Sequence, residues 1–149
     1  MRRLFTTAIA LSVLTAGSAA AQMKPGSGSV KMETKQVDAS ASARRIKRDE
    51  AMRLVKADKA VYVDVRSKQS YDAGHIKGAL SIPSSQLAQR VRELPPGKTI
   101  ITYCACVEEH SAAVAVVVLK NYGIKNAGAL VGGWNEWTAQ GLPTSKNGK

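Results

Sequence analysis

Cysteine is scarce. The chain has two, Cys104 and Cys106, separated by one residue. The disulfides that staple small exported domains join cysteines spaced further apart. A bond across a single residue would close a very small, strained ring, so the pair is expected to be chemical rather than structural. Aromatic residues make up only 5% of the chain, and no basic stretch is interleaved with them. That excludes the usual stacking platform for single-stranded nucleic acid, and no nucleic-acid partner is expected. Acidic residues number 11 against 22 lysines and arginines, a formal charge of +11. The excess favours solubility and weak attraction to anionic surfaces. Internal repeats and a second domain are also missing. The one long apolar run, "LFTTAIALSVLTAG", is too short to cross a bilayer comfortably.

That run follows the basic start "MRR" and precedes Ala19 and Ala21, an A-x-A pattern. Residues 1–21 therefore read as a signal peptide. Cleavage after Ala21 makes Gln22 the first residue, and losing Arg2 and Arg3 takes the charge from +11 to +9. Export then places the protein in the periplasm or outside the cell; an uncleaved anchor is the alternative. Residues 22–43 are rich in Gly, Ser and Lys and read as a flexible linker. The segment "RRIKR", Arg44 to Arg48, adds four cations, read as a solvated run with weak contact to anionic surfaces. The globular domain is expected over residues 44–146.

Within it, Asp49 is placed to cap a first helix carrying Met52, Leu54 and Val55. "AVYVDVR" and "KTIITYC" are apolar and β-branched, as buried strands are. "YDAGHIKGALSIP" reads as a loop and a short strand, and "SSQLAQRVREL" as a helix capped by serine and ended by "PPG". "SAAVAVVVLKNYG" is a helix with Ser111 as its cap and Gly123 at its end. It is apolar almost all round, so it belongs under other elements. "AGALV" is a short strand, and "GGWNEWTAQGLP" a turn and final helix. Gly132 and Gly133 are expected to supply a turn with positive φ, and Trp134 and Trp137 to pack core and rim. Strands alternating with helices specify an α/β fold with a parallel sheet.

Cys104 falls between a strand and a helix N-terminus, beyond the carboxyl end of a strand, where open α/β sheets bind ligands. Inward-turned N–H groups and the helix dipole there favour a thiolate. The plainer alternative is a buried cysteine filling space at a strand end.

Several segments in order resemble the rhodanese domain family. "VYVDVR" carries Asp64 and Arg66 of the family's Asp-x-Arg strand end. "YDAGHIKGALSIP" matches its aromatic, Gly-His-Ile, Gly-Ala and Ile-Pro segment, which includes His75. "IITYC" matches the strand with the reactive cysteine, and "LVGGWNEWTAQGLP" the C-terminal pattern. The resemblance implies a rhodanese-like fold with helices on both faces of the parallel sheet. It further implies sulfane-sulfur transfer through a persulfide on Cys104, from a small sulfur donor to a thiol or protein acceptor. No metal and no organic cofactor is implied. The substrate and anion-binding loop would be Ala105, Cys106, Val107, Glu108, Glu109, His110 and Ser111. Asp64, Arg66 and His75 would brace it, Asp64 by accepting N–H bonds and Arg66 by pairing with a carboxylate such as Glu109.

The loop departs from the family pattern. Typical single-domain members have four residues and then arginine after the cysteine; here five residues precede His110 and there is no arginine. The longer spacing is that of the rhodanese-like cell-division phosphatases, which use a loop arginine to hold phosphate. His110 lacks the guanidinium fork. Glu108 and Glu109, if turned inward, would raise the thiol pKa and repel dianions. The loop also resembles a subgroup with Cys-small-Cys, proline, glutamate and Ser/Thr; Cys106, Glu109 and Ser111 match it, and Val107 replaces the proline. Two other readings stand beside sulfur transfer. One is a non-catalytic binding or metal-handling module, with Cys104, Cys106 and His110 as candidate soft-metal ligands. The other is a thiol-redox protein in which Cys106 resolves a persulfide or sulfenate on Cys104. Packing beneath the loop is the alternative for Cys106.

Overall fold

A computed structural model describes residues 40–147 of the chain. The expected signal peptide and linker residues 22–39 lie outside the described residues. Among the described residues, no helix is long and apolar enough to cross a membrane.

The strands are β1 (Arg45–Ile46), β2 (Ala60–Asp64), β3 (His75–Ile76), β4 (Leu80–Ser81), β5 (Thr99–Tyr103), β6 (Ala127–Leu130) and β7 (Thr144–Ser145). The helices are α1 (Arg48–Lys56), α2 (Lys68–Ala73), α3 (Leu87–Arg90), α4 (His110–Asn121) and α5 (Gly133–Ala139). Five strands form one parallel sheet in the order β1-β6-β5-β2-β4. The remaining two, β3 and β7, pair antiparallel at its side.

Strand alternation places two cores on the two faces of the sheet. Val63 and Ile100 point to one, beneath Ala112, Val116 and Leu119 of α4. Tyr62, Ile101 and Tyr103 point to the other, with Ala51 of α1 and Trp137 of α5. A parallel sheet buried on both faces needs such continuous apolar strands. The all-round apolarity of α4 has the same cause, since it lies between the sheet and α3.

Several expectations are corrected. The "RRIKR" run is not all solvated: Arg45 and Ile46 form an edge strand, and Ile46 is fully buried. Lys47, not Asp49, precedes α1, and Asp49 lies in its first turn, where it complements the helix dipole. The stretch read as a loop before "GHI" contains α2, capped by Ser67 Oγ, which accepts the Ser70 N–H. "SSQLAQRVREL" is not one helix; α3 spans four residues between two 3₁₀ turns.

Tyr62 stacks edge-on against Trp137, with ring centroids 5.4 Å apart. Its hydroxyl is buried without a hydrogen-bond partner among the described residues. Burial pushes its phenol up to about 12. A buried unsatisfied hydroxyl costs about 1–3 kcal/mol. Tyr62→Phe is therefore expected to raise unfolding stability by about 1 kcal/mol, measured by urea denaturation; a loss of that size would show that the hydroxyl has a partner.

Candidate active site

Strand β5 ends at Tyr103, and Cys104 is the next residue, at the carboxyl end of the sheet's central strand. The loop then runs to α4. It bends at Ala105 and Cys106, and Cys106 has φ −96° and ψ 158°. The Cα atoms of Cys104 and Cys106 stand 5.6 Å apart, and their Sγ atoms are joined as a disulfide. The expectation that ring strain would keep them unbonded is thereby corrected. The chain bends at Ala105, which brings the two Cα atoms closer than the roughly 6.6 Å of an extended strand and inside the ordinary disulfide range.

The far half of the loop is built differently. Glu108 and Glu109 are both left-handed, at φ 55° and 52°. That conformation costs a non-glycine residue about 1–2 kcal/mol. The contacts of Glu109 offset part of the cost. Its Oε1 accepts the Gly132 N–H at 2.7 Å, and its Oε2 lies 3.5 Å from Arg45 Nε. Glu109 therefore fastens the loop to β1 and to the turn before α5. Glu108, in contrast, is exposed. The two carboxylates thus differ: one is neutralised by an arginine and the other is screened by solvent.

Ser111 does not cap α4. The helix begins at His110 with Glu109 before it, and the Ser111 N–H donates to Cys106 Sγ at 3.3 Å. The His110 N–H is spent on Val107 O. The expected ring of N–H groups around Cys104 is not seen: among the described residues, the amide contact to a cysteine sulfur is to Cys106. Val107 and His110 are exposed, and Cys104 is 3% exposed.

From the other side, α5 pins the cysteine backbone. Trp134 N–H donates to Cys104 O at 2.8 Å, and Asn135 Nδ2 to Ala105 O at 3.1 Å. Gly133, at φ 49°, makes this approach feasible, because a β-carbon there would sit 2.3 Å from Cys104 O. The Gly-Gly pair was the sequence signal for this turn, but Trp134 and Asn135 carried none beyond packing.

Beneath lies a buried ion pair. Asp64 is fully buried and accepts Arg66 Nη2 at 2.7 Å, Arg66 Nε at 3.0 and 3.1 Å and the Arg66 N–H at 2.9 Å. Arg66 also donates to Gly74 O at 2.6 Å and lies over the Trp134 ring, 4.5 Å from its centroid. Arg66 is thus committed to Asp64, not Glu109. Tyr103 Oη accepts the Ile76 N–H at 3.1 Å and feels the Asp64 carboxylate. Burial, reinforced by the Asp64 carboxylate, pushes the Tyr103 phenol far above its usual range. His75 is buried, stacked on Tyr71 with centroids 3.7 Å apart, its Nδ1 2.8 Å from Tyr71 O. It sits against α2 and the β3–β7 pair.

Among the described residues, no group of three or more His, Cys, Asp or Glu side chains is arranged to hold a metal ion. The trio Cys104, Cys106 and His110 is no exception, since its two sulfurs are bonded to each other. A cleft of about 410 Å³ lies at the opposite end of the sheet, lined by Leu94, Lys98, Ile100 and Asn126 among others. It is remote from the cysteines and takes no part in their chemistry.

These features agree with known proteins. The family description Rhodanese-like domain matches residues 47–140. The chain is 38% identical over 84 residues to an HTH-type transcriptional regulator of Mycobacterium tuberculosis, covering 56% of this chain and 37% of that protein. It is 31% identical over 77 residues to a thiosulfate sulfurtransferase of Pseudomonas fluorescens, covering 52% of this chain and 69% of the relative. Among solved structures, a thiosulfate sulfurtransferase of Pseudomonas aeruginosa superposes with TM-score 0.66 at 28% identity, over 80% of this chain and 23% of that one. The chain spans 37% and 58% of the lengths of two curated relatives, the regulator and a Bacillus subtilis protein. With the match covering most of the described residues and the fold agreeing, this chain belongs to the rhodanese-like domain family.

Proposed function

We propose that this protein is an exported sulfurtransferase that carries sulfane sulfur as a persulfide on Cys104 and delivers it to a thiol. The observation that carries the reading is the position of Cys104: it follows the central strand directly and opens the loop into α4, in a family with sulfurtransferase-named relatives. The reduced form is the one that acts, because only a thiolate attacks a sulfur donor. Export, checked by an N-terminus at Gln22 in the secreted protein, puts the thiol pair where oxidation is favoured.

The charges around the loop select the donor. Residues 104–111 contain no arginine or lysine. The nearby arginines are spent, Arg66 on Asp64 and Arg45 on Glu109. A dianion such as thiosulfate meets Glu108 without a guanidinium to hold it. Glu108 is exposed, so one like-charge contact near 5 Å is worth about 1 kcal/mol, as in water, rather than the roughly 3 kcal/mol of a partly buried site. A neutral or cationic small persulfide, or a protein persulfide, avoids most of this. With reduced protein and a thiol acceptor, transfer from the persulfide of cysteamine, whose ammonium offsets its sulfur charge, is expected to exceed transfer from thiosulfate by about tenfold or more. Transfer from neither donor above the protein-free rate would overturn the reading.

A further inference from the structure

The loop holds a second sulfur that simple transfer does not use. Both cysteines of the chain are here, bonded to one another. The bond is a poor staple. It closes a loop of only three residues, and so short a loop removes far less chain entropy than a long one. The backbone that carries the two sulfurs is instead held from α5. Trp134 N–H holds Cys104 O, and Asn135 Nδ2 holds Ala105 O. The backbone between the cysteines is therefore fixed by α5, independently of the bond. Cys106 is also the better-prepared thiolate of the two, since its Sγ accepts the Ser111 N–H in the first turn of α4. Cys104 is 3% exposed, whereas Cys106 is partly exposed.

Resting on the reading of Cys104 as the sulfur carrier, we infer that Cys106 is a resolving nucleophile that turns the Cys104 persulfide into free sulfide. The Cys106 thiolate attacks Sγ of Cys104. The Cys104–Cys106 bond forms as the bond from Cys104 Sγ to the terminal sulfur breaks. The terminal sulfur leaves as hydrosulfide with the electron pair of that bond and the persulfide's own proton. The sulfane sulfur is reduced, and the two cysteines are oxidised to the disulfide seen in the structure. A dithiol reductant closes the cycle. Its first thiolate attacks the more exposed Cys106, Cys104 leaves as thiolate, and its second thiol displaces Cys106. The added activity is persulfide reduction, with a persulfide and a dithiol as substrates and hydrosulfide as product.

The test is a single turnover. The protein is reduced, freed of reductant and given one equivalent of glutathione persulfide; sulfide is read at an electrode and the protein by intact mass. Wild type is expected to release about one sulfide per chain and to end two hydrogens lighter than the dithiol. Cys106→Ser and Cys106→Ala are expected to release sulfide about tenfold more slowly or worse and to gain one sulfur. Two variants guard against a folding defect in either, and the wild-type sulfide yield is informative alone. If wild type keeps the added sulfur and releases no sulfide, the resolving role of Cys106 is overturned while Cys104 as carrier stands. If neither Cys106 variant gains sulfur although both fold, the carrier reading itself fails, and the inference with it.

Discussion

Cys104→Ser is expected to lower sulfur transfer by about 10³-fold or more, to the uncatalysed background, while the domain stays folded. A serine hydroxyl cannot form a persulfide, and the other cysteine belongs to the resolving step. The substitution buries a hydroxyl in the core, at a cost of about 1–3 kcal/mol, which lowers stability without removing the fold. Cys104 lies in the core beneath α4, and serine changes its volume little. Its backbone oxygen still accepts the Trp134 N–H, so the link between β5 and α5 survives. Losing the disulfide removes only the small chain-entropy contribution of a three-residue loop. Circular dichroism should therefore superpose on that of wild type. Transfer within tenfold of wild type would move the carrier role to another residue.

The second large effect concerns stability. Asp64→Ala is expected to destabilise the domain by about 3–5 kcal/mol, because it strands a buried guanidinium. Arg66 would keep Gly74 O and the face of Trp134, but lose every carboxylate contact. The effect should reach the site, since Trp134 is both the surface on which Arg66 lies and the donor to Cys104 O. The cost should be attributable to the unpaired charge. Asp64→Ala combined with Arg66→Met should recover much of the loss, by about 1–3 kcal/mol. Urea denaturation of the two variants measures both. A double variant no better than Asp64→Ala alone would place the cost in packing, not charge.

The elements that could be read from sequence are those whose pattern is local. Strands β2, β5 and β6 are apolar runs long enough to stand out, and α4 is marked by its length and apolarity. The elements that were missed depend on distant partners. Strand β1 is two residues inside a cationic run, and only its pairing with β6 makes it a strand. The β3–β7 pair joins His75 to Ser145, which no window of sequence contains. Helix α2 buries only Tyr71, too little for a periodic signal.

The site divides in the same way. The place of Cys104 follows from strand, cysteine and helix in succession, and Gly132 with Gly133 did mark a turn of positive φ. The bond to Cys106 did not follow, because spacing alone does not show the bend at Ala105 that brings the two Cα atoms to 5.6 Å. The role of Glu109 was hidden for two reasons. Its left-handed backbone has no glycine to announce it, and its partner Arg45 sits 64 positions away in a segment read as solvated. Those contacts changed the electrostatic question, since one of the two feared carboxylates is a fastening for the loop.

The central claim is that Cys104 carries the sulfur, and locating that sulfur tests it most directly. Reduced Cys106→Ala is treated with one equivalent of glutathione persulfide, alkylated, digested without reductant and sequenced by mass spectrometry. The account predicts one additional sulfur, on the peptide that contains Cys104. Reduced, folded protein that takes up no sulfur, or takes it up at a residue other than Cys104, would contradict it.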